Sequence, residues 1–269
     1  MCSSDLELNG AMGSPCFKGG KFSCLSCHEL HPKNSTAAAL AAPTITLGRK
    51  AWSAPPLKKP DGHPDLTGIW KPENTRLLQD ISEDMKPGDL PMQPWAAQLT
   101  AERRASLHAS DSPDANCLPQ GVPKIYNTPD PFKIVQEPDL IAIIYESFGQ
   151  WRQIHMDGRE FPKDPNPSWL GYSLGRWDGD TLVVTSQGFN GRTWLDNAGH
   201  PTTDAYKITE RIRRPDIGHL VMEFTIDDSK AYTKPFTVTQ RMVLVPDYEL
   251  LEFVCNENEK DVRHFVDKK

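Results

Sequence analysis

From Pro131 to Val266 the chain alternates apolar and polar residues in short runs broken by turn residues, and this period of two limits the fold more than any other feature. Phe132–Gln136 and Leu140–Ser147 flank Glu137-Pro138-Asp139, and Trp151–Met156 stops at Asp157-Gly158. Gly171–Trp177 and Thr181–Phe189 flank Asp178-Gly179, a pair suited to a type I′ turn, whose two central residues need positive φ. Tyr206–Arg213 and Leu220–Ile226 flank residues 214–219, while Phe236–Val245 and Glu249–Cys255 flank Pro246-Asp247-Tyr248. These nine predicted strands, with a tenth at Leu66–Trp70, make an all-β antiparallel meander. A meander of about eight to ten strands removes its unpaired edges by closing into a barrel.

The same alternation predicts the inside. Leu220, Met222, Phe224 and Ile226 share one face, as do Phe236, Val238, Met242 and Leu244. Three polar residues interrupt such faces: Glu210 among Tyr206, Ile208 and Ile212; Glu146 after Leu140, Ala142 and Ile144; and Gln240 in the Phe236 row. An unpaired carboxylate on an apolar face has a raised pKa and suits acid–base chemistry, so Glu146, Glu210 and His155, which follows Trp151 and Gln153 on one face, are the catalytic candidates. The plainer account pairs Glu210 with Arg152, Arg176 or Arg241. Trp194, Asp196, His200 and Asp204 lie in a polar, turn-rich stretch that would cap a barrel mouth, where ligands commonly bind. The ligand-binding candidates are therefore Glu146, His155, Trp194, His200, Glu210 and Gln240. No G-x-S-x-G, H-E-x-x-H or P-loop sequence occurs, and His155, His200 and His219 fall on separate segments.

Residues 36–59 are rich in Ala and Pro and read as a linker between residues 1–35 and a loop-rich lead-in, 60–130, that precedes the barrel at 131–269. Within the lead-in one or two short helices are predicted, the clearest at Trp95–Arg104 behind Pro94. A net charge of −6 argues against a general nucleic-acid binder, and no run of 18 apolar residues offers a transmembrane helix.

Cys24-Leu25-Ser26-Cys27-His28 is C-x-x-C-H, the attachment sequence for c-type haem. Two thiols at this spacing bond the haem vinyl groups, and the next residue gives its imidazole to the iron. A zinc site fails on count, since no second C-x-x-C follows, and a thioredoxin-like pair lacks its βαβ setting. Cys24–Pro32 resembles the C-x-x-C-H-x-x-H stretches of multihaem cytochromes c, which implies that His31 ligates a neighbouring haem. Cys16-Phe17-Lys18-Gly19-Gly20 does not complete a second motif, and 35 residues cannot enclose a haem, so a further haem domain or redox partner is expected upstream. Met1–Leu6 looks like a translated sequencing adapter, which carries the expectation that the natural chain begins earlier and that its signal peptide is lost.

Asp65-Leu66-Thr67-Gly68-Ile69-Trp70 contains G-x-W, which resembles the first strand of lipocalins and related calycin barrels. The resemblance implies that Trp70 plugs one barrel end against an arginine from a late strand, with Arg263 or Arg241 as the partner. Residues 60–269 also resemble an uncharacterised family of secreted bacterial proteins. That likeness is carried by Asp61–Trp70, Cys117–Pro123, Gly171-Tyr172-Ser173, Trp177–Val184, Thr209-Glu210-Arg211 and Cys255–Asn258. Cys117 and Cys255, the thiols of this region, either pair as a disulfide or stay as two buried thiols. Covalent haem and a disulfide both require an environment outside the cytoplasm, so the expectation is a periplasmic or secreted protein. It would join a haem c electron-transfer segment to a barrel that binds a small molecule, with a barrel enzyme or a purely structural module as the alternatives.

Overall fold

The computed structural model describes residues 52–106 and 111–255. Nine strands run through them: β1 (Gly68–Pro72), β2 (Phe132–Gln136), β3 (Leu140–Tyr145), β4 (Trp151–His155), β5 (Tyr172–Asp178), β6 (Thr181–Gln187), β7 (Lys207–Asp216), β8 (His219–Asp227) and β9 (Phe236–Leu244). They hydrogen-bond in sequence order, and β1 pairs with β9 to close a barrel. The all-β barrel read from the alternation is the fold observed. Three α-helices accompany it among the described residues: α1 (Arg76–Gln79), α2 (Pro94–Ala105) and α3 (Lys124–Asn127). Proline opens α2, where its missing N–H costs nothing.

The closing strand is not the one expected. Residues 249–255 form no strand; β9 is already bonded on both sides, to β8 and β1, so no edge is left for them. The meander also has one break. β4 and β5 are parallel and share just two register pairs, Ile154↔Ser173 and His155↔Leu174, because the chain between them, residues 156–171, returns to the starting end before β5 begins. At the β5–β6 hairpin Asp178 is the last paired residue, opposite Thr181, and the two-residue loop is Gly179-Asp180, with Gly179 alone at positive φ.

Inward side chains fill the barrel in rows. β8 supplies Leu220, Met222, Phe224 and Ile226, and β9 supplies Phe236, Val238 and Met242, all buried. β3 differs from expectation: its inner face is Ile141, Ile143 and Tyr145, while Ile144 points outward and is 40% exposed. Both faces of this strand are apolar, so alternation could not fix its parity. Trp70 is buried with the Arg214 guanidinium 4.9 Å over its ring, a cation–π contact. Arg214 follows Ile208, Glu210 and Ile212 on the inner parity of β7 and binds the carbonyls of Asp65 and Ile217. Arg241 instead lies outside, beside Glu73, and Arg263 is outside the described residues.

The end where β1, β3, β6 and β8 finish is covered by the helices and by residues 188–206. α3 buries all four of its residues. Tyr206 donates to the Val122 carbonyl at 2.8 Å, and the Asn197 amide to the Leu78 carbonyl at 2.7 Å, which binds the cap to itself and to the barrel. A disulfide joins Cys117 in the cap to Cys255. The described part of the expected linker packs on the barrel: the Gly218 amide donates to the Trp52 carbonyl and the Ile217 amide to that of Ala54.

Candidate functional site

Beneath α3 the lumen holds an ion pair. Arg152 faces inward on β4 beside Ile154, and Glu210 faces inward on β7; their side chains are 1% and 0% exposed. All five guanidinium N–H donors find acceptors. Nε donates to Ser173 Oγ at 2.9 Å, Nη1 to Tyr126 Oη at 3.1 Å and Glu210 Oε1 at 3.0 Å, and Nη2 to Ser186 Oγ at 2.6 Å and to Glu210 Oε2. Ser186 Oγ donates in turn to Ser173 Oγ at 3.0 Å. Such bidentate pairing is the strongest form of the interaction, and a buried charge requires it. Burial opposes the charge on Arg152, but the Glu210 carboxylate, together with Tyr126 and Tyr145, more than offsets it and holds the guanidinium well above its ordinary pKa. Burial, followed by the negative charge of Glu210, pushes Tyr126 and Tyr206 well up, and burial does the same to Tyr145.

The parallel seam between β4 and β5 opens this region to the side. With two pairs of register, Trp151, Arg152 and Gln153 have no partner on β5. A solvent-open groove of about 490 Å³ lies there, lined by Trp151, Gln153, His155, Trp169 and Tyr172, with Gln150, Ser168 and Ser173 among its polar groups and Arg152 at its floor. Trp151 is 64% exposed. His155 stacks on Tyr172 with ring centroids 5.1 Å apart. Burial, and then the positive charge of Arg159, lower the His155 pKa, which leaves the imidazole neutral at pH 7.

The residues named from the sequence do not converge on one site. Glu210 lies in the lumen, locked to Arg152, the first of the three arginines considered. Glu146 is not on the inner face: it accepts bonds from the Tyr248 hydroxyl at 3.1 Å and the Leu251 amide at 2.9 Å, which fasten the segment after β9. Gln240 faces inward but donates to the Asn74 carbonyl at 2.7 Å, tying β9 to the turn after β1. His155 lies on the outer face, in the groove. Trp194 lies under the Arg103 guanidinium at 4.2 Å in the cap. Asp204 is exposed and pairs with Lys230. Cys24, Cys27, His28 and His31 lie outside the described residues. Missed from the sequence were Ser173, Ser186, Tyr126, Trp169 and Tyr172, which gather only once the β4–β5 seam is known.

The metal grouping weighed from the histidines is not formed by His155, His200 and His219. His219 bonds Asp216 at 2.7 Å, and His200 Nδ1 lies 2.5 Å from Asp196 Oδ2. Asp80, Asp196 and His200 do bring potential ligand atoms within 4.8 Å of one another. Their oxygens are already taken: Asp196 accepts from the amides of Ile81, Gly199 and His200, and Asp80 from Ser82 and Arg104. A guanidinium on Asp80 and filled lone pairs on Asp196 make this a structural knot that holds α1 to the 188–206 loop. Among the described residues no helix is long and apolar enough to cross a membrane. No protein-family model matches the chain, and no curated protein matches it.

Proposed function

We propose that the barrel is an extracytoplasmic small-molecule-binding module and that its groove at the β4–β5 seam is the binding site. The observation that carries this reading is the groove itself, where aromatic side chains and the Gln153 amide converge on a break in an otherwise continuous sheet. The lumen is a support for that site: Arg152 and Glu210 neutralise each other and hold β4, β5, β6 and β7 together below it. The Cys117–Cys255 disulfide supports a location outside the cytoplasm.

The second half of the reading rests on Cys24-Leu25-Ser26-Cys27-His28. Cys24 and Cys27 would bond a haem, His28 would ligate its iron, and the haem would pass electrons to a redox partner. Expression of the full chain with cytochrome c maturation machinery tests this half: a haem-stained band on a denaturing gel is expected, and Cys24→Ala together with Cys27→Ala should abolish it. An unstained full-length product would refute covalent haem. For the barrel, a ligand screen read by tryptophan fluorescence should give hits that Trp151→Ala removes.

A further inference from the structure

We propose that the occupant of the β4–β5 groove is a neutral oligosaccharide, with the apolar face of one sugar ring seated on Trp151; this rests on the groove being the binding site.

The outer row of β4 runs Trp151, Gln153, His155 and spans roughly 13 Å at the usual rise of a strand. That length accommodates more than a single pyranose ring. Its first member is a flat indole left 64% exposed on the rim of a cleft, a rigid apolar platform with an N–H at its edge. Its last is stacked on Tyr172, which extends the flat surface across the seam. Between them the Gln153 side chain has no hydrogen-bond partner among the described residues, and its amide both donates and accepts, as a sugar hydroxyl does.

Charge argues against an anionic ligand. The single charged group in the groove's lining is Arg152, whose donors are all committed, and Arg159 beside Tyr172 is neutralised by Asp157. A phosphate or carboxylate would lose its water there without gaining a free cation. Shape excludes a wholly apolar ligand, which needs enclosure. This trough is open and continues into a second depression of about 370 Å³ through shared residues Ser168, Gly171 and Tyr172. An elongated, neutral, half-wetted ligand fits these walls.

The test titrates the full-length, disulfide-intact chain with neutral hexasaccharides (β-1,4-glucan, α-1,4-glucan and chitin series) and follows tryptophan fluorescence. At least one series should saturate, and Trp151→Ala should weaken it roughly tenfold or more, as loss of a central aromatic anchor does. Trp95→Ala, on α2 and outside the groove, should leave affinity unchanged, and Trp151→Ala should keep the parent Tm. If no hexasaccharide binds but a flat aromatic probe such as naphthol does, in a Trp151-dependent way, the saccharide is overturned and the groove stands. If nothing binds in a Trp151-dependent way, both fall.

Discussion

Arg152 spends every N–H it has inside the barrel, and four strands meet at its head: β4 through its own backbone, β5 through Ser173, β6 through Ser186 and β7 through Glu210. Removing one charge strands the other in a place without water. Glu210→Leu is therefore expected to lower stability by about 3–5 kcal/mol, and Arg152→Met by a similar amount. The double variant Arg152→Met/Glu210→Leu should recover most of the loss, since apolar groups of like volume replace a buried pair at little cost. Urea unfolding with an unchanged m-value measures all three; a double variant as unstable as the singles would mean that the pair itself, not its completeness, stabilises the fold. At this scale the sequence was partly legible. Glu210 stands out because it interrupts Tyr206, Ile208 and Ile212, but choosing Arg152 over Arg176 and Arg241 needs the curvature that brings β4 opposite β7.

Strands with one wet face could be read, and strands with two apolar faces could not. β8 and β9 alternate cleanly and face the expected way, whereas β3, Leu-Ile-Ala-Ile-Ile-Tyr, offers apolar residues to both sides, so the alternation reads it one residue out of phase and carries Glu146 with it. Residues 249–255 have the composition of a strand, yet strand formation needs an open edge, and Gly68–Pro72 had closed it from the other end of the sequence. The seam that creates the groove depends on a parallel pairing that no local pattern encodes. What remains of the segment after β9 is held at its far end by Cys255 and along its length by Glu146, with the Phe253 ring tilted against Phe148 at 5.1 Å between centroids. The disulfide closes a loop with a sequence separation of 138, for which the chain-entropy model gives roughly 5 kcal/mol. Reduction, or Cys117→Ser with Cys255→Ser, should move the urea midpoint down by at most that amount. It should also make the 245–255 segment the first site of proteolysis while the barrel stays folded.

Groups buried in the one core that the barrel shares with its cap should titrate with the whole fold rather than one by one. Four tyrosines provide the means to see this. Tyr126, Tyr145, Tyr206 and Tyr232 are all buried, and in each burial is the first cause of a raised pKa. In the unfolded chain they ionise near pH 10, whereas in the folded protein they stay protonated. The folded state then binds more protons than the unfolded one, so their contribution is complete below about pH 10 and declines as pH rises further. With four such groups the slope reaches roughly 5 kcal/mol per pH unit once all are ionised in the unfolded chain, enough to exhaust the stability of an ordinary domain within one or two units. Tyrosinate absorbance near 295 nm should accordingly show four residues ionising in a single steep step that coincides with loss of the far-ultraviolet strand signal. Gradual ionisation of all six tyrosines of the chain across one ordinary titration curve, with the strand signal intact, would show that water reaches the lumen and that the Arg152–Glu210 pair is not sealed as described.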